Sequence, residues 1–230
     1  MVEAEFDAIA SQYEAQHARS IRLSGEDAGY FARYKIEDMR KIADRRKLTV
    51  NRIMDFGAGI GNSLKPLRTQ FPEAHITCLD VSARSLDLCR KELSQRVDFH
   101  SYDGEHVPDE LGNYDLIFTA CVFHHIPAES HISLLSQIRQ RLARDGLFIL
   151  FEHNPWNPLT VHAVNTCPFD ENAVLISASE MRRRMLAAGF AQIKTNFRIF
   201  FPGPLRALRA LEPALVRVPF GAQYSLTANS

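Results

Sequence analysis

The chain has 230 residues, with 27 Lys and Arg balancing 27 Asp and Glu. That length suits one α/β domain with a few decorations, and the balanced charge supplies no field toward nucleic acid or an anionic membrane. The four cysteines (Cys78, Cys89, Cys121, Cys167) lack C-x-x-C or other ligand spacing, residues 1–7 are acidic rather than a signal sequence, and no apolar run approaches the ~20 residues of a membrane span. The expectation is a soluble, cytoplasmic protein without a metal.

In chain order, Phe6, Ile9, Ala10, Tyr13 and His17 fall on one helical stripe. Ser24 and Asp27 then resemble a cap before a second helix over 27–46, which carries Tyr30, Phe31, Tyr34, Met39 and Ile42. Residues 49–64 follow as an apolar strand (Val50, Ile53, Met54, Phe56), a glycine turn and the start of a helix over 62–71. The turn reads D-x-G-x-G-x-G through Asp55, Gly57, Gly59 and Gly61. Alternating glycines let the backbone turn with positive φ and approach a ligand that a Cβ would exclude. The helix N-terminus beyond them faces the same ligand.

The dinucleotide fingerprint G-x-G-x-x-G would put its third glycine at position 62, which is Asn62. Asp55, two residues before the first glycine, is awkward beside a pyrophosphate but suits a ligand end carrying an ammonium and a sulfonium. The spacing resembles the first motif of the class I S-adenosylmethionine (SAM) methyltransferases. F-D-x-I-A-x-x-Y at 6–13 is similar to the common opening of that superfamily, whose N-terminal helices lie across the cofactor and wall the acceptor pocket. The resemblance therefore implies a cofactor contact from Tyr13 and an acceptor contact from Tyr34. The plainer alternative is that these aromatics pack against the sheet.

The second strand, 75–80, ends in Asp80, placed to accept both ribose hydroxyls or to cap the helix from Ser82; Val81 would lie beside the adenine. After a third strand over 96–101, the resemblance implies an adenine contact from Asp103 beside Gly104, although Asp before Gly is also an ordinary turn. The fourth strand, 114–120, is apolar enough to be central and runs into C-V-F-H-H-I-P at 121–127. That resembles the fourth motif of the superfamily, implying that Ala120 passes under the methionine part of SAM. His125, then His124, are the acid–base candidates, with Tyr13 or Tyr30 as partner. The alternative is that the histidines only shape the pocket. Ala58 completes the cofactor set of Asp55, Gly57 and Gly59.

A helix over 128–144 leads to a fifth strand over 147–152. Residues 153–178 break the pattern, holding the only Trp and several turn formers. An insertion there opens over the carboxyl ends of the sheet, where such folds bind ligands, so Glu152, His153, Asn154 and Trp156 are candidate acceptor contacts. Otherwise they fix the loop itself. A helix over 177–188, a strand over 191–201, a short helix with Leu205, Leu208, Leu211 and Leu215 on one side, and an edge strand over 222–229 complete the chain. The leucine stripe reads as a docking face.

Together these features predict a Rossmann-like α/β fold: a seven-stranded, mostly parallel sheet, helices on both faces and an antiparallel C-terminal strand. One domain would comprise a helical cap (1–48), a cofactor-binding core (49–152), an acceptor-side insertion (153–178) and the rest of the sheet (179–230). The expected activity is SAM-dependent methyl transfer to a small-molecule O- or N-nucleophile, leaving S-adenosylhomocysteine. An NAD(P)-dependent oxidoreductase or a non-catalytic SAM-binding regulator are the alternatives, and the sequence leaves the oligomeric state open.

Overall fold

The computed structural model describes residues 25–93 and 95–230. The stripe over 6–17, with Tyr13, lies outside the described residues. Among those described, β1 (Arg52–Phe56), β2 (His75–Asp80), β3 (Val97–Ser101), β4 (Tyr114–Ala120), β5 (Leu142–His153), β6 (Ala191–Arg198) and β7 (Gln223–Asn229) form one sheet. Its order is β3-β2-β1-β4-β5-β7-β6. The β1–β5 part is parallel, and β7 is antiparallel to both of its neighbours.

Helices cover both faces, as the apolar strands require. Strand residues Ile53, Ile76, Leu116, Phe118, Ile149 and Phe151 pack under α1 (Ala28–Arg45), α2 (Leu64–Gln70) and α3 (Ala83–Glu92). Met54, Ile117, Phe148, Tyr224 and Leu226 pack against α4 (His131–Gln140) and α6 (Ala178–Ala187); α5 (Pro158–Asn165) lies within the insertion. Four helices start where a side-chain oxygen takes an orphan N–H: Asp27 before α1, Ser82 before α3, Asn157 before α5 and Ser177 before α6.

Several expectations are corrected. The C-terminal strand β7 is interior, and β6 is the edge. The alternation of β7 is misleading because its polar members, Gln223, Ser225 and Thr227, share a face with Phe151 and Ile149 and are buried under α1. β5 begins earlier than expected because Leu142 already pairs with Tyr114, before a register shift. The helix expected over 128–144 is a 3-10 turn (Ala128–Ser130) followed by the shorter α4. The insertion is more ordered than its composition suggests, holding α5 and a 3-10 turn, Pro168–Asp170. The leucine segment is a 3-10 stretch, Gly203–Leu211, running into α7 (Glu212–Leu215), with Leu205, Leu208 and Leu211 exposed. No described helix is long and apolar enough to cross a membrane.

The chain leaves β1 toward β2 and β3 on one side, then returns to lay β4 on the other. That reversal opens a crevice beyond the carboxyl ends of β1 and β4, the general ligand position in open α/β sheets.

Candidate active site

The three turn glycines do different work, although all have positive φ. A Cβ on Gly57 would lie 2.3 Å from Val122 Cγ2, and one on Gly61 would lie 2.6 Å from Cys89 Sγ. These two are glycine because the β4 loop and α3 press against them. A Cβ on Gly59 would meet nothing within 4 Å. Gly59 is the one that faces open space, where a ligand would sit.

Around that space the acidic residues are arranged in sequence. Asp80 accepts the Gly59 N–H at 2.8 Å and the Ser82 N–H at 2.9 Å, so its carboxylate is fixed at the rim of the turn. Both expected roles of Asp80, cap neighbour and ligand, are compatible with that geometry. Val81 is buried, and its Cγ1 lies 3.6 Å from where a Gly104 Cβ would be. Asp103 is exposed, and its carboxylate accepts the N–H groups of Glu105 and His106 and pairs with His106 Nδ1 at 2.9 Å. Those bonds from His106 and Glu105 draw its pKa down to about 2. The turn role is the one seen.

Asp55, at the end of β1, is buried, and its Oδ2 has no hydrogen-bond partner. Burial, then the nearby Asp80 charge, push its pKa up to about 8, against the opposing pull of Lys35. A buried carboxylate oxygen without a partner costs free energy unless a ligand supplies one. Sequence reasoning missed Lys35, which is itself buried; its Nζ lies 3.7 Å from Cys121 Sγ. It could have been found, since Lys35 falls on the helical stripe with Ala32, Ile36 and Met39, all buried. An unpaired buried acid and a buried ammonium near enough to act on its pKa suit the ammonium and carboxylate of an amino acid. The residues present therefore fit the methionine end of SAM.

The second half of the crevice is a cluster of imidazoles and carboxylates. Beyond β4 the backbone passes through Cys121, a non-glycine residue at φ 60, into a 3-10 turn, Phe123–His125. Glu152, at the end of β5, holds that turn: its Oε1 accepts the N–H of Val122 at 3.0 Å and of Phe123 at 2.8 Å, and its Oε2 meets His124 Nδ1 at 2.6 Å. From the insertion, Asp170 Oδ1 lies 3.5 Å from His124 Nε2 and 3.4 Å from His125 Nε2. The Val174 N–H donates to the His124 carbonyl at 2.8 Å, docking the insertion onto the turn. The His153 ring sits 5.2 Å from that of His124.

The electrostatics follow from burial and these partners. Burial alone would push His124 down, but Glu152 and Asp170 outweigh it and bring its pKa to about 10. Burial would raise Glu152, yet His124 draws it down to about 2. Burial and the His124 charge push His153 to about 4, leaving it a neutral imidazole at pH 7. Burial also lowers His125, opposed by Asp170.

Direct acceptor contact by Glu152 and Asn154 is therefore revised. Glu152 is spent on the β4 turn. The amide of Asn154 donates to the carbonyls of Pro219 at 2.9 Å and Gly221 at 2.8 Å, and its Oδ1 accepts the Trp156 N–H. Trp156 is 58% exposed at the insertion's surface. Tyr34 hydrogen-bonds Gln223 and packs edge-on against Phe151. Tyr30 stacks under the Arg209 guanidinium, 4.8 Å from its ring, and burial raises its pKa, which opposes a proton-accepting role. Asp170 was not foreseen, because nothing local marks a loop Asp 45 residues from His125 as its partner.

The sheet order is the Rossmann-like one of class I methyltransferase folds, with a seven-stranded mixed sheet and an open glycine turn after β1. Residues 53–146 match the family described as "Methyltransferase domain". The chain is 28% identical to a malonyl-[acyl-carrier protein] O-methyltransferase of Geobacter sulfurreducens, over 62% of this chain and 57% of that protein. It is 33% identical to a trans-aconitate 2-methyltransferase of Methylobacterium nodulans, over 52% of this chain and 46% of that protein. The chain thus spans about half the length of these relatives. Among solved structures, a SAM-dependent methyltransferase of Thermotoga maritima, described as a possible histamine N-methyltransferase, shares the fold with a TM-score of 0.66 at 17% identity, covering 98% of each chain. Residues 53–146 thus match a methyltransferase domain, and the chain shares the fold of SAM-dependent methyltransferases.

Proposed function

We propose that this protein transfers the methyl group of SAM to an oxygen or nitrogen nucleophile of a small-molecule acceptor. The observation that carries the cofactor half is the orphaned, buried Asp55 Oδ2 at the end of β1, in the same turn whose Gly59 faces open space. When bound, SAM supplies a methyl already activated by its positive sulfur. The protein's work is then placement, with the nucleophile held ~3–3.5 Å from that carbon and water kept out. In this reading Asp80 holds the ribose hydroxyls, and Val81, Asp103 and Gly104 border the adenine. Asp55 takes the ammonium, Lys35 takes the carboxylate, and Ala120 underlies the methionine chain.

The acceptor side is bounded by the docked insertion. Asp170 and Val174 both engage His124, which closes the crevice beside β4 and β5 and favours a small acceptor over a polymer. The neutral net charge supports the same choice. His153, neutral and next to the cluster, is the candidate hydrogen-bonding contact, and Trp156 a candidate at the mouth. Proton handling for a hydroxyl acceptor falls to the cluster of His124, His125 and Asp170. One relative's name refers to a small acid and the other's to an acid carried on a protein, so small carboxylic and hydroxy acids head the acceptors to be tried.

Calorimetric titration tests the cofactor half: S-adenosylhomocysteine should bind and NAD should not. Asp80→Ala should weaken the first by about 1.5–3 kcal/mol per lost charged hydrogen bond. Radiolabelled methyl from SAM should appear in a small molecule of a filtered extract. Label found only in protein or nucleic acid would overturn the acceptor reading, and binding of NAD instead would overturn the whole.

A further inference from the structure

We propose that His124, His125 and Asp170 form a site for one divalent transition-metal ion, with a position left for an oxygen atom of the acceptor. One ligand atom from each residue lies within 4.8 Å of the others. The two separations from Asp170 Oδ1, 3.5 Å to His124 Nε2 and 3.4 Å to His125 Nε2, are long for hydrogen bonds. They match the edge of a coordination tetrahedron, which is about 3.3–3.5 Å when metal–ligand bonds are about 2.0–2.1 Å. Two of the three edges thus have the spacing of ligands around a common centre.

The support behind them is what a metal site requires. A ligating imidazole needs its other nitrogen fixed by a carboxylate or carbonyl, which sets the tautomer. The Nδ1 of His124 meets Glu152 at 2.6 Å, which leaves Nε2 for a metal. Glu152 is itself held by two backbone N–H groups, from Val122 and Phe123. The ligands also come from two elements locked together, the Phe123–His125 turn and the Pro168–Asp170 turn, joined by the Val174–His124 backbone bond. A divalent ion would displace the proton that His124 otherwise holds between Glu152 and Asp170, and would balance the two carboxylates in its place. Two imidazoles and one carboxylate favour zinc, iron(II) or a similar metal over magnesium or calcium, which take oxygen ligands.

Three protein ligands are the set of a catalytic rather than a closed structural site, so a fourth position remains. An acceptor hydroxyl or carboxylate bound there would be oriented, and a hydroxyl's pKa would fall. This gives the cluster the proton-handling role without asking His125 to act as a free base, and it replaces the expectation of a metal-free protein. The acceptor's part in this rests on the methyl-transfer reading; the binding of the ion does not.

The test uses the full chain, stripped with a chelator and dialysed against zinc or cobalt(II), with metal content measured by mass spectrometry. The expected result is one ion per chain and, for cobalt, the visible absorption of a low-coordinate N,O site. Asp170→Asn and His125→Ala should abolish both while S-adenosylhomocysteine binding persists, which also shows that the variants fold. Glu152→Gln should weaken the ion by about 10–100-fold as a positioning residue, shifting the cobalt spectrum of whatever is retained. His106→Ala, at the exposed pair with Asp103, should leave the stoichiometry at one. No retained ion in the wild type, or retention unchanged in both Asp170→Asn and His125→Ala, overturns the proposal. Cofactor binding without an ion sinks this inference alone. An ion bound where no methyl is transferred sinks the methyl-transfer reading alone.

Discussion

Asp55 sets stability against ligand binding, and Asp55→Asn separates the two. Its pKa stands at about 8 in the folded protein against 3.8 for an ordinary Asp. The folded state therefore holds one more proton than the unfolded state between those values, and this group's contribution to stability falls as pH rises through that interval. Each pH unit is worth ~1.4 kcal/mol, so at pH 7 the burial of this acid withholds at most about 4 kcal/mol. Asparagine cannot ionise and removes that penalty, but it leaves an imperfectly paired amide that costs about 1–3 kcal/mol. The net expected gain is ~1–3 kcal/mol at pH 7, a rise of ~3–10 °C in Tm for a chain of this size. The gain should be larger at pH 8 and turn into a loss near pH 4 and below, where the wild-type acid becomes protonated in both states and only the amide's cost remains. S-adenosylhomocysteine should bind the variant at least tenfold more weakly, having lost the partner of its ammonium. In the wild type, binding near pH 7 should release a proton, since an adjacent ammonium pulls the carboxyl pKa down. Scanning calorimetry across pH, with titrations in two buffers of different ionisation enthalpy, measures all of this. A variant less stable at pH 8 with unchanged ligand affinity would refute the argument.

The glycine turn supplies a second contrast. Gly57→Ala drives a methyl to 2.3 Å from Val122 Cγ2 and should lower Tm sharply, whereas Gly59→Ala, with nothing within 4 Å, should cost only the ~1–2 kcal/mol of a left-handed alanine while impairing cofactor binding. Equal Tm losses in the two variants would count against the assignment of the open face. Glu152→Ala should destabilise by about 3–5 kcal/mol in chemical denaturation, because it strands a buried imidazole and two N–H groups. Tyr224→Phe removes the 2.9 Å bond to the Ile176 carbonyl, which ties β7 to the end of the insertion, and should cost about 1–2 kcal/mol by the same measurement.

What was legible in the sequence follows from how local each feature is. The β1 turn, Asp80 and the β4 ending are contiguous stretches in which apolar runs and glycine spacing carry the information, and all three stand at carboxyl ends of strands as expected. The polar alternation of β7 reads as a solvent face and an edge strand, yet Gln223, Ser225 and Thr227 are buried on the face they share with Phe151 and Ile149. Burial of polar side chains depends on what a distant helix covers, and a strand's own pattern does not report that. Lys35 is hidden in the sequence for a simpler reason, since a lone charge on a stripe of apolar residues reads as snorkelling to solvent until its burial is seen.

The acceptor side is different in kind. Its cluster joins His124 and His125 on one turn, Glu152 at the end of β5 and Asp170 in the insertion, separated by about 30 and 45 residues of chain. No spacing rule links such positions; they meet only because β4 and β5 are neighbours and the insertion folds back over both. The adjacent His pair pointed to chemistry, but not to the carboxylates that decide which chemistry. Glu152 looked like a pocket residue because it ends a strand facing the crevice, yet its carboxylate turns inward to satisfy the first N–H groups of the β4 turn. Asp170 does the converse, since a loop acid far from any motif lies within 3.5 Å of both imidazoles. An insertion that completes the ligand set lets the cofactor core stay unchanged while the acceptor chemistry is altered by exchanging one loop. Replacing residues 153–178 should therefore change what is methylated, and how its proton is handled, before it changes what donates the methyl.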